Sequence, residues 1–380
     1  MQDIAQSTYD FRVMRENGSV YVDKTGLLYP FIRRDRDALY FVSRPRRFGK
    51  SLMLSTLKYL FQGRRDLFKG LAIDSLDYDW TEYPVFHFSF AGVKIASLEA
   101  FRVDFRDRVR DALAEVGHVW DESSFPGANF ARAIRDTAER RGKPVVVLID
   151  EYDSPVSHAL DDIAKANAIR DELADFYIQI KECAADIRFM MMTGVTKFTQ
   201  LSVFSALNNL TDLTLQPEAA TLLGYTEEEL DTFFGEHLRA HTQVMGLSDE
   251  DYRAQLRWWY NGYRFSPRCE TKVYNPVAIG RALSRKCSYF EPTWSETGHS
   301  SALMKYLAAH PLTARDYERI PELNRRVFDI YDWGAIPELT LLYYLGYLTI
   351  KDFDPICDFT LGVPNEDARR SLTRLVEQCG

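Results

Sequence analysis

The stretch Ser43-Arg44-Pro45-Arg46-Arg47-Phe48-Gly49-Lys50-Ser51 lies between a short apolar run, Ala38 to Ser43, and a segment with helical spacing, Ser51 to Gln62. Its last three residues carry the chemistry of a phosphate-binding turn. Gly49 lets the backbone approach a ligand closely, Lys50 supplies a cation for β and γ phosphates, and the Ser51 hydroxyl is a ligand for Mg²⁺. A helix beginning at Ser51 turns its unpaired N–H groups and positive dipole end toward the same anion. The usual spacing, G-x-x-x-x-G-K-[ST], asks for a glycine where this chain has Arg44. Alone, the tripeptide is a weak signal, because chance matches at helix starts are common.

Two further strand ends add to it. The run Val145 to Ile149 (VVVLI) delivers Asp150 and Glu151 to its C-terminal end, where ligands collect in open α/β sheets. Asp150 is expected to hold the Mg²⁺ water shell, and Glu151 to polarise a water for attack on a γ-phosphate. The run Ile187 to Thr193 ends in a hydroxyl that can bond that water or the γ-phosphate, which makes Thr193 the next candidate and Thr196 the one after it. Each has a bland alternative, since acids after strands cap helices and strand-end threonines satisfy turns. The set in this order favours nucleotide binding.

Two more apolar runs, Val85 to Phe90 and Asp212 to Gln216, complete a group of five whose unbroken hydrophobicity suits parallel strands covered on both faces. Helical stretches at Ser51 to Gln62, Leu98 to Glu115, Ala128 to Arg140 and Ala164 to Ala184 are long enough to be crossovers. The motif set, rather than periodicity, orders the sheet. The phosphate-loop strand lies beside the strand ending at Thr193, the Asp150 strand comes next, and Val85 to Phe90 and Asp212 to Gln216 form the edges. After about Leu222 the pattern turns mostly helical. Thr226 and Glu229 form a capping-box signature for a helix through about His241. A helix from Asp249 to Asn261 is expected to stop at a left-handed Gly262, and others are read at Pro276 to Arg285, Ser300 to His310 and Ile336 to Tyr344. The domain reading is an arm over 1–36, an α/β core over 37–222, and a helical lid with C-terminal extension over 223–380.

The segments YVDKT (Tyr21 to Thr25), RPRRFGKSL (Arg44 to Leu52), VVVLIDEYD (Val145 to Asp153), TGVTKF (Thr193 to Phe198) and VFSALNNLTDLTL (Val203 to Leu215) together resemble the bacterial AAA-ATPase-like family. WYNGYRF (Trp259 to Phe265), VYNPVAIG (Val273 to Gly280) and WSETG (Trp294 to Gly298) extend the resemblance over nearly the whole chain. It implies an α/β P-loop NTPase core of the AAA-like kind followed by a mainly helical lid, with ATP and Mg²⁺ as ligands. It also implies that Arg46, Arg47, Phe48, Gly49, Lys50, Ser51 and Leu52 bind the nucleotide, that Ser51 and Asp150 hold the metal, and that Lys50, Glu151 and Thr193 serve catalysis. In that family an arginine at the place of Arg44 is the normal form. Members often continue, past a segment like Leu361 to Glu366, into a PD-(D/E)XK nuclease domain. No Asp/Glu-x-Lys strand is read in the last residues before Gly380, so no nuclease site is expected here.

Composition sets the outer bounds. Hydrophobic residues at 46% and charged residues at 27% exclude collagen-like, mucin-like and wholly disordered chains. A net charge of −8 argues against an overall electrostatic grip on nucleic acid, although Arg33, Arg34, Arg36, Arg44, Arg46, Arg47, Arg64 and Arg65 concentrate positive charge near the phosphate loop. Phosphate contact is assigned to Arg46 and Arg47, and a solvated surface to the others. Five scattered cysteines without a C-x-x-C pair, no secretory pattern and no apolar run of membrane length point to the cytoplasm. His237 and His241, four apart, are read as surface residues rather than metal ligands, the WWYNGY aromatics as core, and Arg264 as a sensor candidate or a structural ion pair. The leading functional expectation is an Mg²⁺-dependent ATPase. The alternative is a nucleotide-gated switch with negligible hydrolysis that acts on a nuclease or DNA. Direct DNA binding by the basic segment is a third reading, and self-association is left open.

Overall fold

The computed structural model describes residues 1–5, 9–33, 38–198, 210–284, 289–294, 312, 316–354, 356 and 358–379. Arg34, Arg36, the 203–209 portion of one matched motif, 295–298 of another and the expected helix at 300–310 lie outside these residues.

Strands β1 (Ala38–Ser43), β2 (Val85–Ser89), β3 (Val145–Asp150), β4 (Ile187–Gly194) and β5 (Leu210–Asp212) form one sheet in the order β2-β3-β4-β1-β5. Every pairing is parallel, so the expected order is the observed one. All residues of β3 and β4 are buried, which is why their sequences run apolar without alternation. Each fully covered Val, Leu or Ile contributes about 1.5–3 kcal/mol relative to exposure.

The last strand of this sheet lies earlier than the sequence suggests, at Leu210–Asp212 where Asp212 to Gln216 is expected, so only Asp212 is shared. Asp212 accepts a hydrogen bond from the Thr214 amide at 2.9 Å, an Asx-type turn that swings the chain out of the sheet. Only the Leu213 amide, donating to the Phe41 carbonyl at 2.8 Å, prolongs the pairing.

Local chemistry sets the helices. In the arm, α1 (Phe11–Glu16) is capped by Asp10 and is followed by α2 (Thr25–Ile32). Helix α3 (Lys50–Phe61) follows Gly49, and α4 (Leu98–Glu115) is capped by Ser97. Helix α5 (Pro126–Arg141) starts on a proline and ends at left-handed Gly142. After the short α6 (Ser154–Ser157), α7 (Ile163–Glu182) is capped by Asp162. The arm joins the main core through Phe11, Met14, Tyr21 and Leu28, and the Phe11 amide donates to Ser55 Oγ at 2.9 Å.

Helices α8 (Glu227–Met245), α9 (Asp249–Tyr260) and α10 (Pro276–Ser284) enclose a separate apolar cluster that includes Leu230, Phe234, Tyr252 and Ile279, together with Val20 and Val22 of the arm. The Thr226–Glu229 capping box is present. His237 and His241 are buried, contrary to the surface expectation. They lie on the inward face of α8, where His237 Nε2 sits 2.9 Å from the Gln2 carbonyl.

The mostly helical C-terminal part also holds a small sheet that the sequence reading does not include. Strands β6 (Ile320–Leu323), β7 (Thr349–Asp354) and β8 (Asp358–Gly362) form an antiparallel sheet, β6-β8-β7, accompanied by α11 (Glu338–Tyr344) and α12 (Glu366–Cys379). IPEL and TIKDFD are short and rich in proline and charge, so they gave no strand signal. Among the described residues no helix is long and apolar enough to cross a membrane.

Gly262 is needed for a reason other than the one its position suggests. Helix α9 ends at Tyr260 with Asn261 extended, and Gly262 adopts φ +122° with the Pro364 carbonyl oxygen 2.2 Å from where a Cβ would stand. Its missing side chain lets the C-terminal chain press against the end of α9. Gly262→Ala should therefore destabilise the fold by about 2 kcal/mol or more, read as a lower urea midpoint. An unchanged midpoint would contradict this packing.

Candidate nucleotide site

After β1 the chain arches through residues 44–49 and enters α3 at Gly49, whose φ of +94° suits glycine. No side chain caps α3, so its first-turn N–H groups and dipole end remain for an anion. Lys50 is buried and its ammonium donates to the carbonyls of Arg44 at 2.8 Å and Pro45 at 3.0 Å. Burial lowers its pKa, while the charges of Asp150, Glu151 and Asp153 oppose that shift.

Arg44 is 1% exposed, which corrects its reading as a solvated residue. Its guanidinium donates to the carbonyls of Ser43 (2.8 Å), Thr214 (2.8 Å) and Ala219 (2.9 Å). Desolvation pushes its pKa down to about 10, still well above neutral pH. The neighbouring loop arginines separate: Arg46 lines a small cavity with Glu151, Asp153 and Thr196, whereas Arg47 lines the wider cleft on the other side of the loop. The Phe48 ring is buried against Tyr263 and Phe265, which withdraws it from ligand contact, and its carbonyl accepts from the Gly224 amide at 3.1 Å. On the surface, Arg64 pairs with Asp66 and Arg65 with Asp74, as solvated arginines should.

The acidic wall stands at the ends of β3 and β4. Thr193 Oγ1 donates to Asp150 Oδ1 at 2.6 Å, both groups being buried. Glu151 follows with φ +52°, a strained value for a side-chain-bearing residue. Burial raises its pKa first, the charge of Asp150 second, while Lys50 acts in the opposite direction. Asp153 accepts from the amides of Val195 (3.2 Å) and Thr196 (2.7 Å) and from the Thr196 hydroxyl, tying β3 to the chain after β4. Thr196 is thereby spent on Asp153. Among the described residues no cluster of three or more His, Cys, Asp or Glu could hold a metal by itself. One carboxylate and one hydroxyl, Asp150 and Ser51, instead suit Mg²⁺ that takes its other ligands from phosphate and water.

Beyond the loop lies a cleft of about 300 Å³ bounded by the arm, α3 and α10, with Tyr21, Val22, Leu52, Leu223, Pro276 and Arg281 among its walls. Its apolar and polar lining and its position beside Gly49 suit the base and sugar of a nucleotide. The sequence assigns a ligand role to Leu52 but none to the arm or α10. The signal was present in the YVDKT and VYNPVAIG segments, which lacked any spacing rule.

Residues 6–204 match the AAA-ATPase-like family, described as a predicted AAA-ATPase. The chain belongs to this family. An uncharacterized protein in the vnfD 5′ region of Azotobacter chroococcum mcd 1 is 34% identical over 371 residues, which cover 95% of this chain and 67% of that protein. The crystal structure of Cdc6p from Pyrobaculum aerophilum aligns over 98% of this chain and 97% of that one at 9% identity, with a TM-score of 0.27. In this AAA-ATPase-like chain, Arg264 is an anchor. Its guanidinium donates to the carbonyls of Ser266, Pro267 and Cys269 and reaches that of Lys351.

Arg44→Ala should strip this donor from the Ser43 and Thr214 carbonyls, while the Ala219 carbonyl keeps the Leu222 amide at 3.3 Å. At about 1–3 kcal/mol for each unsatisfied group, the loss should reach at least about 2 kcal/mol in equilibrium unfolding. Arg44→Lys should recover only part of it, because an ammonium lacks the planar fork. Full recovery by lysine would contradict this account of the loop.

Proposed function

We propose that this AAA-ATPase-like protein binds Mg²⁺·ATP at the loop 44–51 and hydrolyses it. What carries the reading is the meeting of an uncapped helix start and buried Lys50 with Asp150, Thr193 and Glu151 at one end of the sheet. The triphosphate is received by the backbone N–H groups of the loop and the first turn of α3, with Phe48 and Gly49 contributing main chain only. Lys50 exchanges its two loop carbonyls for β and γ phosphate oxygens, and Arg46 adds charge from the Glu151 side. Ser51 and Asp150 would hold the Mg²⁺, which when bound neutralises phosphate charge. Glu151 orients a water and takes its proton. Thr193 acts through its bond to Asp150, keeping that carboxylate turned toward the loop. The base rests in the cleft between the arm and α10, so residues 223–284 serve as the lid of a core spanning 37–222.

Lys50→Ala should weaken ATP binding roughly 10- to 100-fold in calorimetry, the value of a charge-assisted contact. Glu151→Gln should keep the affinity and abolish phosphate release. Undiminished binding by the lysine variant would sink the site assignment. Tight binding with no turnover in the wild type would establish the nucleotide-gated switch instead. Adding duplex and single-stranded DNA to the same assays tests coupling to nucleic acid.

The Glu151 environment sets a pH dependence. Its pKa is raised in the folded protein, so it keeps its proton to higher pH than a free glutamate and cannot accept one from water while it does. Turnover should fall on acidification through a limb above the ordinary value of about 4.3. A limb at or below that value, read from kcat/KM against pH, would remove Glu151 from the role of base.

A further inference from the structure

Loops of this kind usually rely on glycine for their shape, whereas here remote side chains hold the arch from outside. The Arg44 guanidinium lies over the ring of Phe265, 4.2 Å from its centroid. The Phe48 ring meets Tyr263 and Phe265 edge-on at 4.9 and 5.0 Å, and Trp294 stands at 6.5 Å. The segment presenting Phe265 is itself fastened to β7: Thr349 Oγ1 accepts from the Arg264 amide at 2.8 Å and lies 3.1 Å from the Arg264 carbonyl, and the Arg264 guanidinium closes the turn that follows.

The loop residues gripped in this way supply the acceptors for Lys50. Its ammonium rests on the carbonyls of Arg44 and Pro45. Arg44 uses both terminal nitrogens on carbonyls, while its Nε has no hydrogen-bond partner. An aromatic face attracts a desolvated cation where an aliphatic side chain of similar bulk would only fill space.

We propose that Phe265 is a positioning residue of the phosphate-binding loop, acting through Arg44 and Phe48. Its ring fixes where the carbonyls of residues 44 and 45 stand and hence where the Lys50 ammonium waits. The assignment of a purpose to that placement rests on the nucleotide reading above, whereas the mechanical link does not. The chain of contacts runs from Thr349 through Arg264 and Phe265 to Arg44 and Lys50, so the small C-terminal sheet and the loop are mechanically joined.

The test is amide hydrogen exchange on ligand-free protein, comparing wild type, Phe265→Leu and Thr349→Val. Phe265→Leu keeps apolar bulk and removes the π face. Thr349→Val keeps shape and ring but cuts the bonds behind them. Peptides spanning residues 43–52 should exchange about tenfold faster in Phe265→Leu and several-fold faster in Thr349→Val, with α7 unchanged in both. An unchanged loop, or equal acceleration everywhere as a merely structural role would give, overturns the proposal. In calorimetry Phe265→Leu should lower affinity for Mg²⁺·ATP several-fold while leaving that for adenosine unaltered, and equal losses for the two would also overturn it. A wild type that binds no ATP, with the loop-specific exchange still present, would reject the nucleotide reading and uphold the mechanical link.

Discussion

A guanidinium buried without a carboxylate in hydrogen-bond contact constrains this structure more than any other group. Moving such a charge out of water costs several kcal/mol, and only well-placed dipoles offset it. Arg44 obtains them from Ser43 at the end of its own strand and from Thr214 and Ala219 beyond β5. The early departure of β5 from the sheet follows from this arrangement. The turn at Asp212 frees the Thr214 carbonyl to face Arg44 instead of a neighbouring strand. Asp212 also contributes a favourable field at Arg44 from a distance. Two segments far apart in sequence, the end of β1 and residues 214–219, are thus drawn to one cation directly under the phosphate loop.

The acidic side of the site is organised by competition between like charges. Glu151 directly follows the buried Asp150, and burial together with the Asp150 charge opposes its ionisation. Asp150 is instead supported by the short bond from Thr193. Lys50 stands between these acids and its own loop, held by carbonyls and attracted by carboxylates.

The sheet was legible from sequence because β1, β3 and β4 are covered on both faces, which forces uninterrupted Val, Ile, Leu, Phe and Met. Asp150 and Lys50 were legible because strand ends and helix starts have few chemical options. Arg44 was misjudged, since nothing in a run of arginines says which one turns inward. Its acceptors are backbone carbonyls, and any sequence can supply those. The small C-terminal sheet escaped for a similar reason: the proline of IPEL and the charges of TIKDFD mark short, partly exposed strands whose pairing is set by tertiary contact rather than propensity. The walls of the cleft beside Gly49 come from the arm, α3 and α10, and no local pattern announces a surface assembled from three distant pieces.

Glu229 serves two masters, and that limits how the molecule can move. The same carboxylate accepts the Thr226 amide at the start of α8 and the buried ammonium of Lys24 at 2.6 Å, which also reaches the Thr221 carbonyl. Pulling the arm away from α8 would break the Lys24–Glu229 ion pair and loosen the capping box that shares its carboxylate, the cap alone being worth about 1 kcal/mol. Val20 and Val22 add apolar packing between the arm and helices α8 to α10. Two walls of the cleft are thus fastened to each other by one shared carboxylate and one shared core, so a change at Glu229 would be felt on both sides of the opening.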